Sequence, residues 1–500
     1  MAAQICCVDQ TRPGTHTIGG RWFCDEHYKK ATYARAGFWR TGLIAVIGLL
    51  VFVGAVVALD AVLQPRLGGV ALVLVGIVLA IVPAALWLTF FYQQDRLEPE
   101  PVGNVARMFV IGLALASAIG IPLTDQLFGV QDWQYTNALT QWLASIFVTG
   151  AVEAFVIFAT VRYFIFDLPE FDERTDGVIY GTAAGLGYAT ALNLQFILGN
   201  GGAALGSGEV FVAEVALAHA AFGGLLGYFL GRAKLEQEPI WWLAGGLVLA
   251  SVLNGLFLVL RGELDPSGFT LGGQASGLPT FSGLLLAGGL AVVVTGVVTW
   301  LINRDITRSL SGKQPPATKD PTIGDRQANL AVMGTFAVLL LIGAFVWNNA
   351  VNRFTAFDVG GFQGSYPANF GQATGEGDVL RVVDRLGTGA EFAIQTTPAE
   401  ANWDTKTVGA LLAAERADQY VLYKVLSSGQ TTVNGKPALT QQFAYVDPRG
   451  LTGAAPEVQE GIDYLFVEDG QAIIITMLST PDDLAEVEPL FARFLNGLQF

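Results

Sequence analysis

From residue 41 onward the chain alternates apolar blocks of about twenty residues with short stretches carrying Pro, Gly and charge. Blocks of that length match a helix crossing a hydrocarbon layer of about 30 Å. They predict spanning helices at 41–63, 68–93, 104–125, 138–166, 176–198, 210–231, 239–260, 281–302 and 328–348. The pattern changes at both ends. Residues 1–40 are polar and basic and lack the apolar core of a cleavable signal peptide. Beyond residue 350 the pattern predicts a helix at 406–418, alternating strands at 420–424, 441–446 and 464–467, and an Asp469-Gly470 turn into AIIITML. A last helix is predicted from Pro481 to Asn496.

Composition places the chain in a class. With 52% hydrophobic and 14% charged residues and 60 Gly in 500, it is too apolar for a soluble enzyme and too long for one domain. The expected fold is a polytopic α-helical membrane protein of about nine transmembrane helices with soluble parts at both ends, the C-terminal one α+β. Basic residues recur in alternate connecting segments: Lys29, Lys30, Arg35 and Arg40; Arg96; Arg162 and Arg174; Arg232 and Lys234; Arg304 through Arg326. By the positive-inside rule the N-terminus is cytoplasmic, the protein is multi-pass in the cell membrane, and the C-terminal domain is exterior. The net charge of −15 is concentrated there, since residues 351–500 hold 9 Lys and Arg against 19 Asp and Glu. Such a balance offers nucleic acid no partner surface.

All three cysteines precede residue 25, which excludes a disulfide framework further on and points to metal at the N-terminus. Cys24 and His27 form C-x-x-H, and Cys6 and Asp9 form C-x-x-D on the other side of a Gly-Gly turn. Two such pairs supply the four ligands of a structural zinc. The segment resembles half of a LIM or treble-clef zinc knuckle. The second cysteine of its first pair is missing, and Asp9, Cys7 or His16 is available in its place.

Four isolated polar side chains, Glu153, Asn193, His219 and Asn254, lie in long apolar runs. Ionisable groups cost about 2.5–3.5 kcal/mol in lipid even on lenient scales, so such residues face a bundle interior and are site candidates. Glu153 and His219 are read as the only strongly ionisable side chains deep in these helices, and are expected to face one another or a shared water. Repeats Gly177, Gly181, Gly185 and Gly223, Gly227, Gly231 predict close helix packing around them.

The string FYQQDRLEPEP between the second and third blocks reads on composition as a solvated turn. Together with DGVIYG, GLGY and the histidine helix, over about residues 90–260, it resembles the PrsW family of intramembrane proteases, relatives of the CAAX-prenyl endopeptidases. The resemblance implies a domain at 94–303, preceded by a helical hairpin at 41–93 and followed by a cytoplasmic linker at 304–327, a last helix at 328–349 and the exterior domain at 350–500. It also implies a site. The family's Glu-Glu-x-x-Lys run begins here at Glu153, with Ala154 and Ile157 replacing the second Glu and the Lys. Its G-F-A-x-x-E-N run corresponds to Gly187 through Asn193, with Leu192 replacing the Glu. His219 keeps the third motif's histidine, and Asn254 stands where the fourth has histidine. In the C-terminal domain the order of YPANF, a helix, the VNGKPA turn with its Asn434-Gly435 pair, two hairpin strands and a last helix ending in GLQF resembles the PsbP or LpqN-like domains of exported lipoproteins.

Two functions stay open at this point. One is an intramembrane endopeptidase acting on a membrane-bound protein such as an anti-sigma factor, with Glu153 as base and His219 at the oxyanion or water site. The other is an inactive relative that binds a membrane partner, the exterior domain sensing and the zinc knuckle reporting inward. The missing Glu and His weigh toward the second, and the scaffold toward the first.

Overall fold

The computed structural model describes all residues except 1–4, 10, 19, 34–36, 64–68, 96, 135–137, 200–204, 237, 262–281, 313–320, 376, 385–387, 448–456 and 482. A short hairpin, β1 (His16–Ile18) and β2 (Arg21–Phe23), precedes α1 (Asp25–Tyr33). Helices α2 (Gly37–Leu63) and α3 (Gly69–Tyr92) follow. Helix α4 (Val102–Leu115) continues through π-helical turns at Ala116–Gly120 and Pro122–Leu127. After α5 (Val130–Trp133) and α6 (Ala138–Ala144), a π-helical turn at Ser145–Gly150 leads into α7 (Ala151–Phe164). Then come α8 (Arg174–Gly199), α9 (Leu205–Leu235), α10 (Trp242–Arg261), α11 (Ser282–Leu310) and α12 (Pro321–Val351). The chain divides into two compact units, Met1–Phe128 with Trp142–Ala344, and Gly129–Gln141 with Phe345–Phe500.

Among the described residues eight helical stretches are long and apolar enough to cross a membrane: Arg40–Asp60, Gly69–Tyr92, Val102–Leu127, Leu139–Phe164, Gly208–Leu235, Trp242–Arg261, Leu285–Leu310 and Arg326–Val351. The ninth predicted crossing, 176–198, corresponds to α8. It is a helix of 26 residues, but Gly, Ala, Thr and Tyr in place of Leu and Val leave it less apolar. It can be so because nearly every residue from Arg174 to Ala191 is buried by protein, and a helix wrapped by helices does not meet lipid. Around the predicted linker, helix continues to Leu310 and resumes at Pro321. Charge is compatible with helix once the chain has left the apolar layer, and Pro suits a first helical position. Residues 313–320 of that linker lie outside the described residues, as does Gly19 of the Gly-Gly turn.

The first unit is organised by the contact of α8 with α9. A Cβ on Gly177 would lie 2.2 Å from the Gly227 carbonyl oxygen, one on Gly181 2.3 Å from that of Gly223, and one on Gly185 2.2 Å from that of His219. The opposite stripe answers: a Cβ on Gly223 would sit 2.4 Å from the Gly181 oxygen. Both predicted glycine repeats therefore face each other across two antiparallel backbones in direct contact. On its other side α8 meets α4 as closely, since a Cβ on Gly187 would lie 2.0 Å from the Phe109 oxygen.

In the second unit a hairpin of β3 (Phe354–Val359) and β4 (Phe362–Pro367) precedes the sheet strands β5 (Gly371–Ala373), β6 (Asp378–Val383) and β7 (Glu391–Pro398). Helix α13 (Thr405–Gln419), strands β8 (Val421–Val433), β9 (Lys436–Asp447), β10 (Glu457–Glu468) and β11 (Gln471–Ser479), and α14 (Leu484–Asn496) complete it. The sheet is antiparallel with order β5-β6-β7-β11-β10-β9-β8. Two of its hairpin turns are Asn434-Gly435, φ 51° and 80°, and Asp469-Gly470, φ 48° and 75°. Positive φ at both central residues is what a two-residue turn needs to match strand twist, and Asn or Asp before Gly supplies it. In the sheet's core Asp463 holds Arg416 at 2.6 and 3.2 Å and accepts the Thr476 hydroxyl at 2.7 Å.

The glycine contact generates a direct prediction. Gly181→Leu forces α8 and α9 apart and is expected to cost about 1–3 kcal/mol or more, read as a lower melting temperature of the detergent-purified chain. Gly54→Leu, where no atom lies within 4 Å of an added Cβ, should leave melting unchanged; equal effects at the two positions would refute the packing argument.

Candidate active site and metal-binding clusters

Glu153 lies in the first turn of α7 and His219 in the middle of α9, and the fold brings them together. His219 Nε2 is 3.4 Å from Glu153 Oε2, and the two residues are 1% and 2% exposed. His219 Nδ1 is 2.9 Å from the Val215 carbonyl oxygen. A carbonyl only accepts, so Nδ1 carries the proton of the neutral ring and Nε2 turns a lone pair toward the carboxylate. Neither Nε2 nor Oε2 has a hydrogen-bond partner. Two acceptors face each other at this distance only with a proton or a cation between them. Tetrahedral zinc with bonds of about 2.0–2.1 Å would hold two such donors ~3.3 Å apart, close to what is seen.

Neighbouring helices fix this pair. The Gly185 contact pins the His219 backbone to α8, the Tyr188 ring stacks on the imidazole at 5.8 Å and 10°, and Thr182 donates to the Ala220 carbonyl at 3.2 Å. Glu153 follows directly on the π-helical turn Ser145–Gly150, an irregularity frequent at functional sites. Helix α10 crosses that turn: a Cβ on Gly150 would lie 2.4 Å from the Ser251 oxygen and 3.0 Å from the Gly255 nitrogen. Asn254 thus belongs to the segment packed one turn before Glu153. It is 1% exposed, and neither atom of its amide has a partner.

Asn193 is placed differently. Its Nδ2 donates to the Val212 carbonyl at 3.0 Å, so it ties α8 to α9 two turns from His219, although its Oδ1 is unpartnered. Leu192 lies one helical turn beyond Tyr188, the residue stacked on His219, and packs among apolar side chains.

At the N-terminus the hairpin assembles a second constellation. His27 Nδ1 is 3.4 Å from Cys6 Sγ, 3.3 Å from Cys24 Sγ and 3.7 Å from Asp9 Oδ2, and one donor atom from each of the four lies within 4.8 Å of the rest. These separations are those of the edges of a tetrahedral metal site, and the group could hold a metal. Of the three residues open for the fourth position, Asp9 is the one that joins. Burial and then the Glu98 carboxylate push the Cys7 thiol far up, away from the thiolate a metal binds. His16 stacks on Tyr28 at 4.1 Å and meets Asp25 at 2.8 Å.

The loop expected to be a solvated turn is not one. Asp95 and Glu100 are 4% and 5% exposed and meet Asp176, 0% exposed, with one oxygen of each within 4.8 Å of the others. Asp176 Oδ2 accepts the backbone N–H groups of Asp172 and Glu173 at 2.7 and 2.5 Å, capping α8 from its third residue. Burial, then Glu173, Glu100 and Glu98, pushes the Asp95 carboxyl well above the usual range, and burial takes Glu173 up to about 7. Arg21 of β2 reaches this region and pairs with Glu98, with Glu173 at 3.0 Å and with Asp172 at 2.5 Å. Composition alone concealed the cluster, because a turn rich in Pro and carboxylates is usually wet; only the D-x-x-E-P-E-P string and the Asp of DGVIYG singled it out. Nor are Glu153 and His219 the only ionisable groups within these helices. Glu209 and Glu214 on α9 are 1% and 8% exposed, and all four of their oxygens are unpartnered.

Comparison with known proteins bears on the helices that carry this pair. A family model described as "PrsW family intramembrane metalloprotease" matches residues 100–270. Protease PrsW of Geobacillus kaustophilus is 31% identical over 186 residues, 35% of this chain and 75% of that one. Protease PrsW of Halalkalibacterium halodurans is 32% identical over 180 residues, 36% and 79% of the two chains. That of Bacillus subtilis is 28% identical over 181 residues, 35% and 78%. A cyanobacterial PsbP from Synechocystis covers 29% of this chain and 91% of its own at 12% identity, but its TM-score of 0.24 carries no argument. The helices that hold Glu153, His219 and Asn254 fall inside the matched residues, and the chain belongs to the PrsW family of intramembrane metalloproteases.

Proposed function

We propose that the chain is a PrsW-type peptidase that cleaves a membrane-bound protein within or beside the bilayer, with Glu153 and His219 as the working pair. The observation that carries this reading is the buried pair of facing, unpartnered donors, Glu153 Oε2 and His219 Nε2 at 3.4 Å. Their kinds and spacing fit a divalent ion, and the unpartnered amide oxygen of Asn254 is a third donor of suitable type. Bound there, such an ion would acidify water and polarise the scissile carbonyl. The protein's own groups do the rest. Glu153 takes the proton from the attacking water and returns it to the leaving amine. Val215 holds His219 in the tautomer that keeps Nε2 free, so His219 serves as a donor of electrons and not, in its neutral form, as an oxyanion donor. The Asn254 N–H groups are left to meet the oxyanion. Tyr188 and the glycine contact exclude water and fix the imidazole plane.

In this reading α8 crosses the membrane as a ninth helix. It runs antiparallel to the crossing helix α9, from Gly177 beside Gly227 to Asn193 beside Val212. Nine crossings and the positions of the basic residues put residues 1–40 inside and 350–500 outside. The Cys6, Asp9, Cys24 and His27 group holds a structural zinc, and Arg21 carries that knuckle to the Glu98 and Glu173 loops of the bundle.

Each part has its own test. Protease added to intact cells should remove the C-terminal domain and spare the N-terminal segment; the reverse pattern would overturn the topology. Elemental analysis of the purified chain should find that Cys24→Ser loses one equivalent of zinc relative to the parent, and an unchanged zinc content would dismiss the knuckle. Glu153→Gln should lower cleavage of a membrane-embedded peptide by roughly 10²–10⁴-fold with melting preserved. The double change Leu192→Glu with Asn254→His, which restores the family's groups, should raise it. Should the parent and the folded double variant both be inert, the protein would be a binder and not a peptidase.

A further inference from the structure

At the end of the bundle where the N-terminal hairpin docks, carboxylates outnumber the cations that meet them. Arg21 engages Glu98, Asp172 and Glu173. No Lys, Arg or His among the described residues pairs with Asp95, Glu100 or Asp176, which are 4%, 5% and 0% exposed. Both oxygens of Asp95 and Oδ1 of Asp176 lack any hydrogen-bond partner. The other Asp176 oxygen caps α8, and Glu100 accepts the Tyr180 hydroxyl. A helix cap accounts for one carboxylate oxygen and leaves unexplained a neighbouring carboxylate buried with no side-chain donor on either of its oxygens. Removing such charges from water without a counter-ion costs several kcal/mol each.

We propose that Asp95, Glu100 and Asp176 bind one hard divalent cation, calcium in preference to magnesium. The donors are all oxygens, without thiol or imidazole, which selects calcium, magnesium or manganese over zinc and copper. Calcium accepts several carboxylates directly, whereas magnesium dehydrates reluctantly and is usually held by one or two carboxylates with water completing its shell. Here three carboxylates meet at one buried place, each offering an oxygen, a donor set that suits calcium better than magnesium. The ion would link the loop between α3 and α4 to the first turn of α8, two elements whose outer carboxylates are the ones Arg21 grips. It would thereby set the surface on which the N-terminal segment rests. The site uses none of the groups assigned to peptide cleavage, so binding alone tests it.

The full chain, purified in detergent and stripped of loosely bound ions, is titrated with calcium, magnesium and manganese by calorimetry and by thermal melting. One calcium per chain is expected, bound more tightly than magnesium and raising the melting temperature. Asp95→Asn should weaken calcium about tenfold or more. Asp176→Asn, whose amide oxygen still caps α8, should do the same while melting normally without calcium. No saturable binding of any of the three ions by the parent at millimolar concentration would overturn the proposal, as would undiminished binding in both variants. Magnesium bound more tightly than calcium would overturn the preference for calcium.

Discussion

Near contact between the backbones of α8 and α9 is the constraint on which the membrane part depends. Gly177, Gly181 and Gly185 face Gly223, Gly227 and the His219 turn so closely that no side chain fits between. In lipid there is little hydrophobic gain from bringing two helices together, so dispersion between closely apposed backbones has to supply the association. That contact fixes the height of His219 along α9 relative to α8, and with it Tyr188. Because α8 is covered on its other faces by α3, α4 and α7, it tolerates Thr182, Thr190 and Asn193, polar groups that a lipid-facing helix would reject.

The position of Glu153 rests on a different device. A π-helical turn at Ser145–Gly150 breaks the regular ladder just before α7, and Gly150 admits the α10 backbone at that break. One glycine contact, at Gly185, thus joins α8 to α9 and another, at Gly150, joins the turn before α7 to α10, and the 3.4 Å approach of Glu153 to His219 links the two pairs. The same economy holds at the N-terminus, where a three-residue hairpin positions Arg21 by pairing Arg21 with Ile18. The guanidinium then spans two loops of the bundle.

Much of this was legible in the sequence, for identifiable reasons. Blocks of about twenty apolar residues locate the helices, because the bilayer sets the length of the apolar part, while polar turns carry α11 on to Leu310 and begin α12 at Pro321. The paired glycine repeats announced the α8 and α9 contact, and the lone Glu153 and His219 their meeting. The Asn434-Gly435 and Asp469-Gly470 turns announced two hairpins. What was not legible depended on tertiary cover. The buried state of Asp95 and Glu100 comes from Asp176 and Tyr180, some eighty residues away in the chain, and Glu209 and Glu214 lie in a stretch whose helical burial no local pattern reveals. Strands β3 to β6 were missed because short segments broken by Gly360-Gly361 and Gly371 through Gly377 give too few alternations to count, and β7 because Phe392, Ala393 and Ile394 are buried in succession and break the alternation. The drift of a four-residue glycine repeat around a helix left the distance from Glu153 to His219 open until the packing closed it at 3.4 Å.

Leu192 and Asn254 depart from the family's pattern in opposite physical senses. Leucine at position 192 relieves the membrane interior of a carboxylate and packs with its neighbours, so by itself it reads as a site being closed down. Asparagine at 254 does not. Its amide is fully buried and unpartnered at both atoms, a state that costs about 1–3 kcal/mol per group, and a leucine there would escape that cost. A purely structural role offers no return for it, since no hydrogen bond from Asn254 steadies α10 or the π-helical turn. A ligand, water or substrate carbonyl presented to Asn254 would satisfy its amide, as a proton or cation would satisfy the facing Glu153 and His219. The unmet polar atoms sit on three helices, Glu153 on α7, His219 on α9 and Asn254 on α10, and each carries that cost until something meets it.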